Sequence, residues 1–288
     1  MRDERPSQTS SLVTLMRALA HGGVTEVQGF EDPTALVLLP PAWRLLARSL
    51  LWRVGPLRVR QFMIDQSFGR MDVVALRTRV LDEAWGVAHD QATRQLVLLG
   101  AGLDGRAFRL PNLADAAVFE VDHPSTQALK RERAAALRSL AGRHLFVPVN
   151  FETDALGDAL AKAGHQPGAP TFWIWEGVTH YLTAEAQAAT LAALAARSAP
   201  GSRVAMNYIE PGQNPLQKAT VPLLVRMLGE PFLGQMPRAV AAERLERAGF
   251  SCVEDTGLED WRRRYSQNPE RASTAYAERI ALGEKRPA

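Results

Sequence analysis

The sequence has very little cysteine. Cys252 is the single cysteine of the chain, which excludes an internal disulfide and argues against a zinc site built on cysteine, so we expect no metal site. Long hydrophobic runs are also missing, since no stretch reaches the roughly 18 apolar residues that a membrane-spanning helix needs. The first residues, MRDERPSQTSS, contain no hydrophobic signal core. We therefore expect a cytoplasmic protein with no membrane partner.

Neither sign of charge dominates the chain. The 34 basic and 31 acidic residues leave a net charge of +3, a balance too even to predict a nucleic-acid partner. Hydrophobic residues make up 46% and charged residues 23% of the sequence, as expected for a packed soluble core. A length of 288 residues suits one large domain, or one domain with an attached subdomain. The sequence sets no oligomeric state.

The hydrophobic pattern divides the chain at about residue 94. The stretch before it is mostly helical, as in PAWRLLARSLLWRV and in residues 70–90. From residue 95, short apolar strands alternate with helices, which predicts a parallel sheet covered on both faces. The predicted strands are 95–100, 116–122, 144–150, 170–177, 202–209 and 251–257. The tail STAYAERIALGEKR predicts a further strand at the edge of the sheet.

This pattern predicts two regions. Residues 1–94 form an N-terminal helical cover that contributes to substrate binding, and residues 95–288 form the α/β domain. Within the second region, residues 210–237 follow the fifth strand and are rich in proline, leucine and methionine. We interpret this insertion as an apolar lid over the site, with ordinary packing as the alternative.

A glycine-rich turn follows the first strand in QLVLLGAGLDGRAFRL. Gly100, Gly102 and Gly105 match G-x-G-x-x-G, and Asp122 follows Gly102 by twenty residues, which is the spacing of a dinucleotide site. An NAD-dependent oxidoreductase is therefore one interpretation of the turn. Another is that the glycines only permit the tight backbone geometry.

Acidic residues argue against a pyrophosphate in this turn. Asp104 lies inside the loop, near the helix start where a phosphate would bind, and Glu176 closes a neighbouring strand. Such carboxylates suit a positively charged ligand without phosphate, such as S-adenosylmethionine. Asp122 can accept hydrogen bonds from its ribose, and Glu176 or a loop carbonyl can pair with its ammonium. Arg77 or Arg79 can meet its carboxylate.

Several motifs together resemble one known family. QLVLLGAGLDGRAFRL, VFEVDHP and WEGVTHYL are similar to segments of the leucine carboxyl methyltransferase-like group of class I methyltransferases. The upstream EDPTALVLLPP and LRTRVLDEA and the later GFSCVEDTG extend the resemblance from about residue 9 to residue 265. It implies a Rossmann-like, mostly parallel sheet of seven strands, with the helical cover and lid described above.

The resemblance also implies a cofactor site for S-adenosyl-L-methionine. By position, Arg77 is similar to the arginine that meets the cofactor's carboxylate, and Asp122 to the acid that binds its ribose. Glu176 is similar to the glutamate near its methionine part. The loop residues Gly100 and Gly102 pass beneath that part, and Ala101 and Asp104 belong to the same loop.

Two positions depart from the family pattern. Asn150 stands where the family usually has an aspartate beside the adenine, and Phe151 follows it as the apolar neighbour. The amide oxygen of Asn150 can still accept from the adenine amino group, at a cost of about 1 kcal/mol for losing a charged acceptor. Gly105 stands where the family often has threonine, so the third glycine of the apparent dinucleotide motif is incidental.

For the reaction, the resemblance implies an O-methyltransferase acting on a hydroxyl or carboxylate. A carboxylate acceptor needs no base, whereas a hydroxyl needs one, and His180 is the predicted candidate, with Tyr181 orienting the acceptor. We expect a small organic acceptor, such as a polyketide-like product. The alternatives are methylation of a protein C-terminal carboxylate and a non-catalytic cofactor-binding protein.

Overall fold

The protein has an α/β fold in the computed structural model, which describes residues 8–53, 57–66, 70–211, 234–270 and 277–286. One sheet of seven strands forms its centre, in the order β3-β2-β1-β4-β5-β7-β6. The strands are β1 (Gln95–Leu99), β2 (Ala117–Asp122), β3 (Arg143–Pro148), β4 (Thr171–Trp175), β5 (Arg203–Ile209), β6 (Phe250–Gly257) and β7 (Glu278–Lys285). Strands β1 to β5 are parallel, and β7 is antiparallel to both of its neighbours. The Rossmann-like class I methyltransferase sheet predicted from the sequence is confirmed.

The central strands are apolar because helices cover both of their faces. Every residue of β1 and β4 is buried, although successive side chains point to opposite faces of the sheet. Leu96 and Leu98 pack into the apolar cluster on one face, whereas Val97 and Leu99 pack into the cluster on the other. A continuous apolar run is therefore the pattern that a central parallel strand requires.

Eleven α-helices lie in the described part of the chain. They are α1 (Gln8–His21), α2 (Ala35–Leu38), α3 (Pro41–Arg53), α4 (Leu57–Gln66), α5 (Arg70–Asp90), α6 (Arg106–Arg109), α7 (Pro124–Ala134), α8 (Leu156–Lys162), α9 (Ala184–Ala196), α10 (Arg238–Arg247) and α11 (Leu258–Tyr265). Helices α1 to α5 precede β1, in the region that the sequence predicts to be an N-terminal cover. Helix α1 contacts α2, α3 and α5, and α5 contacts α11 and strands β4 and β5. No helix in these described ranges is both long and apolar enough to cross a membrane.

The structure corrects the place of the last strand. The C-terminal tail does form a strand, but β7 lies between β5 and β6, and the edges of the sheet are β3 and β6. Ile280 and Ala281 of β7 are accordingly buried in the core. The apolar pattern predicts that this segment is a strand. That β7 pairs on both sides depends on the connection from β5 to β6 through α10, which leaves room for one strand between them. Most of the predicted lid, residues 212–233, lies outside the described residues.

Candidate functional site

A cavity lies at the carboxyl ends of the parallel strands, where open α/β sheets bind ligands. Helix α1 contributes Thr9, Ser10, Val13, Thr14 and Arg17 to its wall. Ten of the predicted site residues also line it: Arg77, Gly100, Ala101, Gly102, Asp104, Asp122, Asn150, Phe151, Glu176 and Tyr181. The fold thus brings together residues that are up to 104 positions apart in the sequence, between Arg77 and Tyr181.

The glycine turn is held by the carboxylate at the end of the neighbouring strand. Gly100 and Gly102 have φ angles of +66° and +47°, a backbone conformation that residues other than glycine rarely adopt. The amide of Gly102 donates to one oxygen of Asp122, and the amide of His123 donates to the other at 2.6 Å. Asp122 therefore fixes the loop and closes β2 at the same time. Burial raises the pKa of Asp122, although these two amide donors oppose the rise.

Gly105 is required by the N-terminal cover. A Cβ atom at this position would lie 1.9 Å from Oγ1 of Thr34 and 3.2 Å from Oδ1 of Asp32. Both contact residues belong to the turn before α2, where Oδ1 of Asp32 accepts from the amide and the hydroxyl of Thr34. The third glycine of the turn is incidental to a dinucleotide motif, but it lets the cover pack directly against the α/β domain.

Arg77 lies between two carboxylates at the cavity. Its Nε donates to Oε1 of Glu176 at 2.8 Å, and its Nη1 donates to both oxygens of Glu278 at 3.0 and 2.7 Å. Burial would lower the pKa of Arg77, but Glu278 and Glu176 outweigh burial and raise it. Arg79, the alternative from the sequence, instead has its guanidinium 5.5 Å above the ring of Tyr265.

Glu176 and Asp104 share a second arginine, Arg106. The Nη1 of Arg106 lies 2.9 Å from Oε2 of Glu176 and also contacts Oδ2 of Asp104. Burial would raise the pKa of Glu176, yet Arg106 and Arg77 lower it to about 2. The pKa of Asp104 is likewise lowered, because Arg106 and Arg17 outweigh its burial. Both carboxylates are therefore ionised at neutral pH.

Sequence reasoning missed Arg106 and Glu278. Arg106 is fully buried at the start of α6, and Glu278 is 7% exposed at the start of β7. Asn207 on β5 supports this corner, since its Nδ2 donates to Oε2 of Glu278 at 3.3 Å. The available signals were an arginine directly after the glycine turn and a glutamate opening the apolar run RIALG. Neither signal reveals the partners on α5, Arg77 and Asp82, which the packing of this helix against the sheet brings close.

Asn150 and Phe151 lie after β3, on the side of the cavity expected for adenine. The side-chain Oδ1 of Asn150 accepts a hydrogen bond from the backbone amide of Glu152 at 3.1 Å. The backbone amide of Asn150 donates to Oδ2 of Asp154 at 2.9 Å. This turn fixes the Asn150 side chain. Phe151 packs against the apolar cluster that contains Val147 and Val149. Their roles toward a cofactor stay predictions.

His180 and Tyr181 belong to one 3₁₀ turn, Thr179–Tyr181, but they differ in position. Tyr181 lines the cavity, whereas His180 is not among the described residues that line it. The two rings pack together with their centroids 4.1 Å apart. Burial, and then the nearby charge of Arg77, lower the pKa of His180 to about 3. His180 is therefore neutral at pH 7 and is a weak base.

Comparison with solved structures shows the same fold in distant proteins. A structure described as a "putative methyltransferase" from Thermobifida fusca YX superposes with a TM-score of 0.64, covering 99% of this chain and 97% of that one. The two sequences are 16% identical, so the similarity concerns the fold alone.

Sequence relatives are considerably closer. A protein of Mycolicibacterium smegmatis named "Putative S-adenosyl-L-methionine-dependent methyltransferase" is 42% identical over 139 residues, covering 47% of this chain and 45% of the relative. A protein of Frankia alni with the same kind of name is 41% identical over 207 residues, covering 68% of this chain and 67% of the relative. The chain spans about half the length of several other curated relatives that it matches.

The family profile decides the assignment. The sequence profile of leucine carboxyl methyltransferases matches residues 10–195, a range that includes most of α1, the glycine turn, Asp122 and Glu176. On this match, which covers more than half of the chain, the chain belongs to the leucine carboxyl methyltransferase family.

Proposed function

We propose that this protein is an S-adenosyl-L-methionine-dependent methyltransferase that methylates a hydroxyl or carboxylate oxygen of a small organic molecule. The observation that supports this most is the composition of the cavity wall. Asp104, Asp122 and Glu176 line one cavity together with Arg77, at the carboxyl edge of the sheet. Carboxylates suit a cationic ligand, and an arginine suits its carboxylate.

The residues present fit this cofactor. The chain passes the cavity at Gly100 and Gly102 without a Cβ, so its backbone can approach a ligand closely. We assign Asp122, which lines the cavity, to accept hydrogen bonds from the ribose hydroxyls while it holds the loop. Hydrogen bonds among described residues occupy Nε and Nη1 of Arg77, which leaves its Nη2 as the donor for the ligand carboxylate. When bound, the cofactor supplies an electrophilic methyl group on sulfur.

We place the acceptor beside the 3₁₀ turn and α1. Tyr181 from the turn, Leu182 directly after it and Val13 from α1 line the same cavity and offer apolar contacts, beside the polar side chains that α1 also contributes. The phenol of Tyr181 can orient an acceptor oxygen. A carboxylate acceptor is ionised at neutral pH and needs no base, which fits a site where the nearby His180 is a weak base. The role of His180 in proton removal stays a prediction, and wild-type turnover of His180→Ala would exclude it.

The cover favours a small acceptor over a protein terminus. Helix α1 contributes Thr9, Ser10 and Thr14 to the cavity wall, so an acceptor in the cavity must fit beside this helix. An extended protein C-terminus would need an open path between α1 and the strand ends. The family name describes carboxyl methylation, which is the chemistry of one of the two proposed acceptor groups.

Ligand binding tests the cofactor first. S-adenosylhomocysteine at 100 times its dissociation constant should stabilise the protein by about 2.7 kcal/mol, whereas NAD should leave the melting temperature unchanged. Stabilisation by NAD alone would overturn the proposal in favour of an oxidoreductase.

Methyl transfer tests the acceptor. Protein incubated with methyl-labelled S-adenosylmethionine is offered small aromatic alcohols, small carboxylic acids and a peptide ending in leucine. Label in a small acceptor supports the proposal, and mild base separates the two oxygens because it cleaves a methyl ester but not a methyl ether. Label only in the peptide would identify a protein substrate instead. Cofactor binding without any transfer would indicate a binding protein.

A further inference from the structure

Polar residues follow the strand ends along the cavity in the order of the sheet. Asn150 follows β3 at one end of the row, Asp122 ends β2, and Glu176 follows β4 beyond β1. Glu176 pairs with Arg77, so the charged groups that suit the amino-acid part of the cofactor lie at the β4 end. Asp122, assigned to the ribose, lies between the two ends. The base is joined to the other side of the ribose, which puts it at the β3 end, beside Asn150.

The turn after β3 fixes the direction in which the side-chain amide of Asn150 faces. Its Oδ1 accepts a hydrogen bond from the backbone amide of Glu152 at 3.1 Å. The main chain is held as well, since the amide of Asn150 donates to Asp154 and its carbonyl accepts from the amide of Thr153. Reversing the side-chain amide would place Nδ2 against the N–H of Glu152, so that two donors would face each other. Oδ1 is therefore the atom that faces the turn.

Nδ2 is consequently the side-chain atom of Asn150 that remains for a ligand. It has no hydrogen-bond partner among the residues that the structure describes, and Asn150 lines the cavity. An amide nitrogen of this kind donates two hydrogen bonds and accepts none. Adenine offers groups of both kinds, because its ring nitrogens accept hydrogen bonds whereas its 6-amino group donates them. Nδ2 can therefore bind a ring nitrogen of the base but not the 6-amino group.

We propose that Asn150 recognises the base of the cofactor as a hydrogen-bond donor, through a ring nitrogen, and does not recognise the 6-amino group. The inference rests on the proposed function. It differs from the acceptor role that the sequence alone suggests for Asn150. An aspartate in the same turn would keep one oxygen on the amide of Glu152 and offer the other to the 6-amino group. Asn150→Asp thus exchanges a donor for an acceptor at one atom of the cavity wall.

Isothermal titration of the whole chain with two ligands tests the proposal. One ligand is S-adenosylhomocysteine, and the other is its 6-deamino analogue, in which hydrogen replaces the amino group and the ring nitrogens are kept. We expect the loss of the amino group to weaken binding at least fivefold more in Asn150→Asp than in the wild type. The ratio of the two dissociation constants is taken on one protein, so general damage to the site largely cancels. Equal ratios in the two proteins would overturn the inference.

Two further variants complete the test. Asp154→Asn is the matched control, because it makes the reverse exchange in the same turn at an exposed residue that is not among the described residues lining the cavity. Its ratio should equal that of the wild type. Asn150→Ala should also keep the wild-type ratio, since the side chain it removes does not contact the amino group.

A ratio that falls in Asn150→Ala would show that Oδ1 of Asn150 accepts from the amino group, and it would overturn the inference. A wild type that binds neither ligand would instead refute the proposed function.

Discussion

Arg77 and Glu278 are joined across the cavity edge although they lie 201 positions apart, with Nη1 of Arg77 at 3.0 and 2.7 Å from the two carboxylate oxygens. Arg77 belongs to α5 of the N-terminal cover, and Glu278 opens the last strand of the sheet. The pair therefore ties the two regions together at the candidate site. It also fixes the orientation of the guanidinium toward the cavity.

Removing the charge of Glu278 should weaken cofactor binding. In Glu278→Gln, Arg77 loses the carboxylate that accepts two hydrogen bonds from its Nη1, and its guanidinium gains rotational freedom. We therefore expect the affinity for S-adenosylhomocysteine to fall at least fivefold. Isothermal titration measures the effect. The matched control is Glu284→Gln, because Glu284 lies on the same strand but pairs with Arg203 on a partly exposed surface. Equal affinities in both variants would show that Glu278 does not position Arg77.

Asp122→Ala should weaken cofactor binding at least tenfold. The substitution removes the proposed acceptor for the ribose and the partner of the amides of Gly102 and His123. Titration with S-adenosylhomocysteine measures the loss, and a thermal melt reports any accompanying loss of stability. Asp115→Ala provides the control, since Asp115 is exposed and pairs with His89 and Arg94 away from the cavity. Unchanged affinity in Asp122→Ala would remove this residue from the site.

Gly105→Ala should destabilise the protein by about 2 kcal/mol, the usual scale for forcing an extra group into a packed region. The new methyl group would overlap Oγ1 of Thr34, which lies 1.9 Å from the ideal Cβ position. Urea denaturation gives the free energy of unfolding. Gly168→Ala makes the same chemical change where no heavy atom lies within 4 Å of the ideal Cβ, and its stability should stay close to wild type. Equal stabilities would contradict the tight approach of the cover.

Stability should fall as the pH falls from about 6.5 toward 4. Burial and then Arg197 lower the pKa of His165 to about 4, and burial and then Arg77 lower that of His180 to about 3. Because both folded-state values lie below the unfolded value, the unfolded chain binds more protons in this range and is favoured. We expect a loss on the order of 1 kcal/mol per histidine between pH 7 and pH 5.

Urea denaturation at several pH values checks this dependence. His165→Gln should flatten the slope between pH 7 and pH 5. A slope that is the same in His165→Gln and wild type would contradict the assignment of His165 as a buried neutral histidine.

Much of the site could be predicted because strand ends are local features. An apolar run followed by a polar residue predicts both the strand and its end, and parallel strands place their carboxyl ends together. Asp122 and Glu176 follow from this rule. Arg77 could be chosen only from the family resemblance, because α5 has 21 residues and contains several arginines that the sequence pattern does not distinguish. Arg106 and Glu278 could not be found, because the partners that bring them to the site, Glu176 and Arg77, are distant in the sequence.

The sequence by itself determined the strands, the turn of Gly100 and Gly102 and the presence of a helical cover, since each depends on hydrophobic periodicity and backbone freedom over a few residues. Tertiary structure alone decided the position of β7, the contact of Gly105 with Thr34, and which carboxylate meets which arginine. These features depend on the order of strands and on burial. Water screens a charge at the surface, whereas a buried charge must be compensated by opposite charges or hydrogen bonds from the surrounding protein.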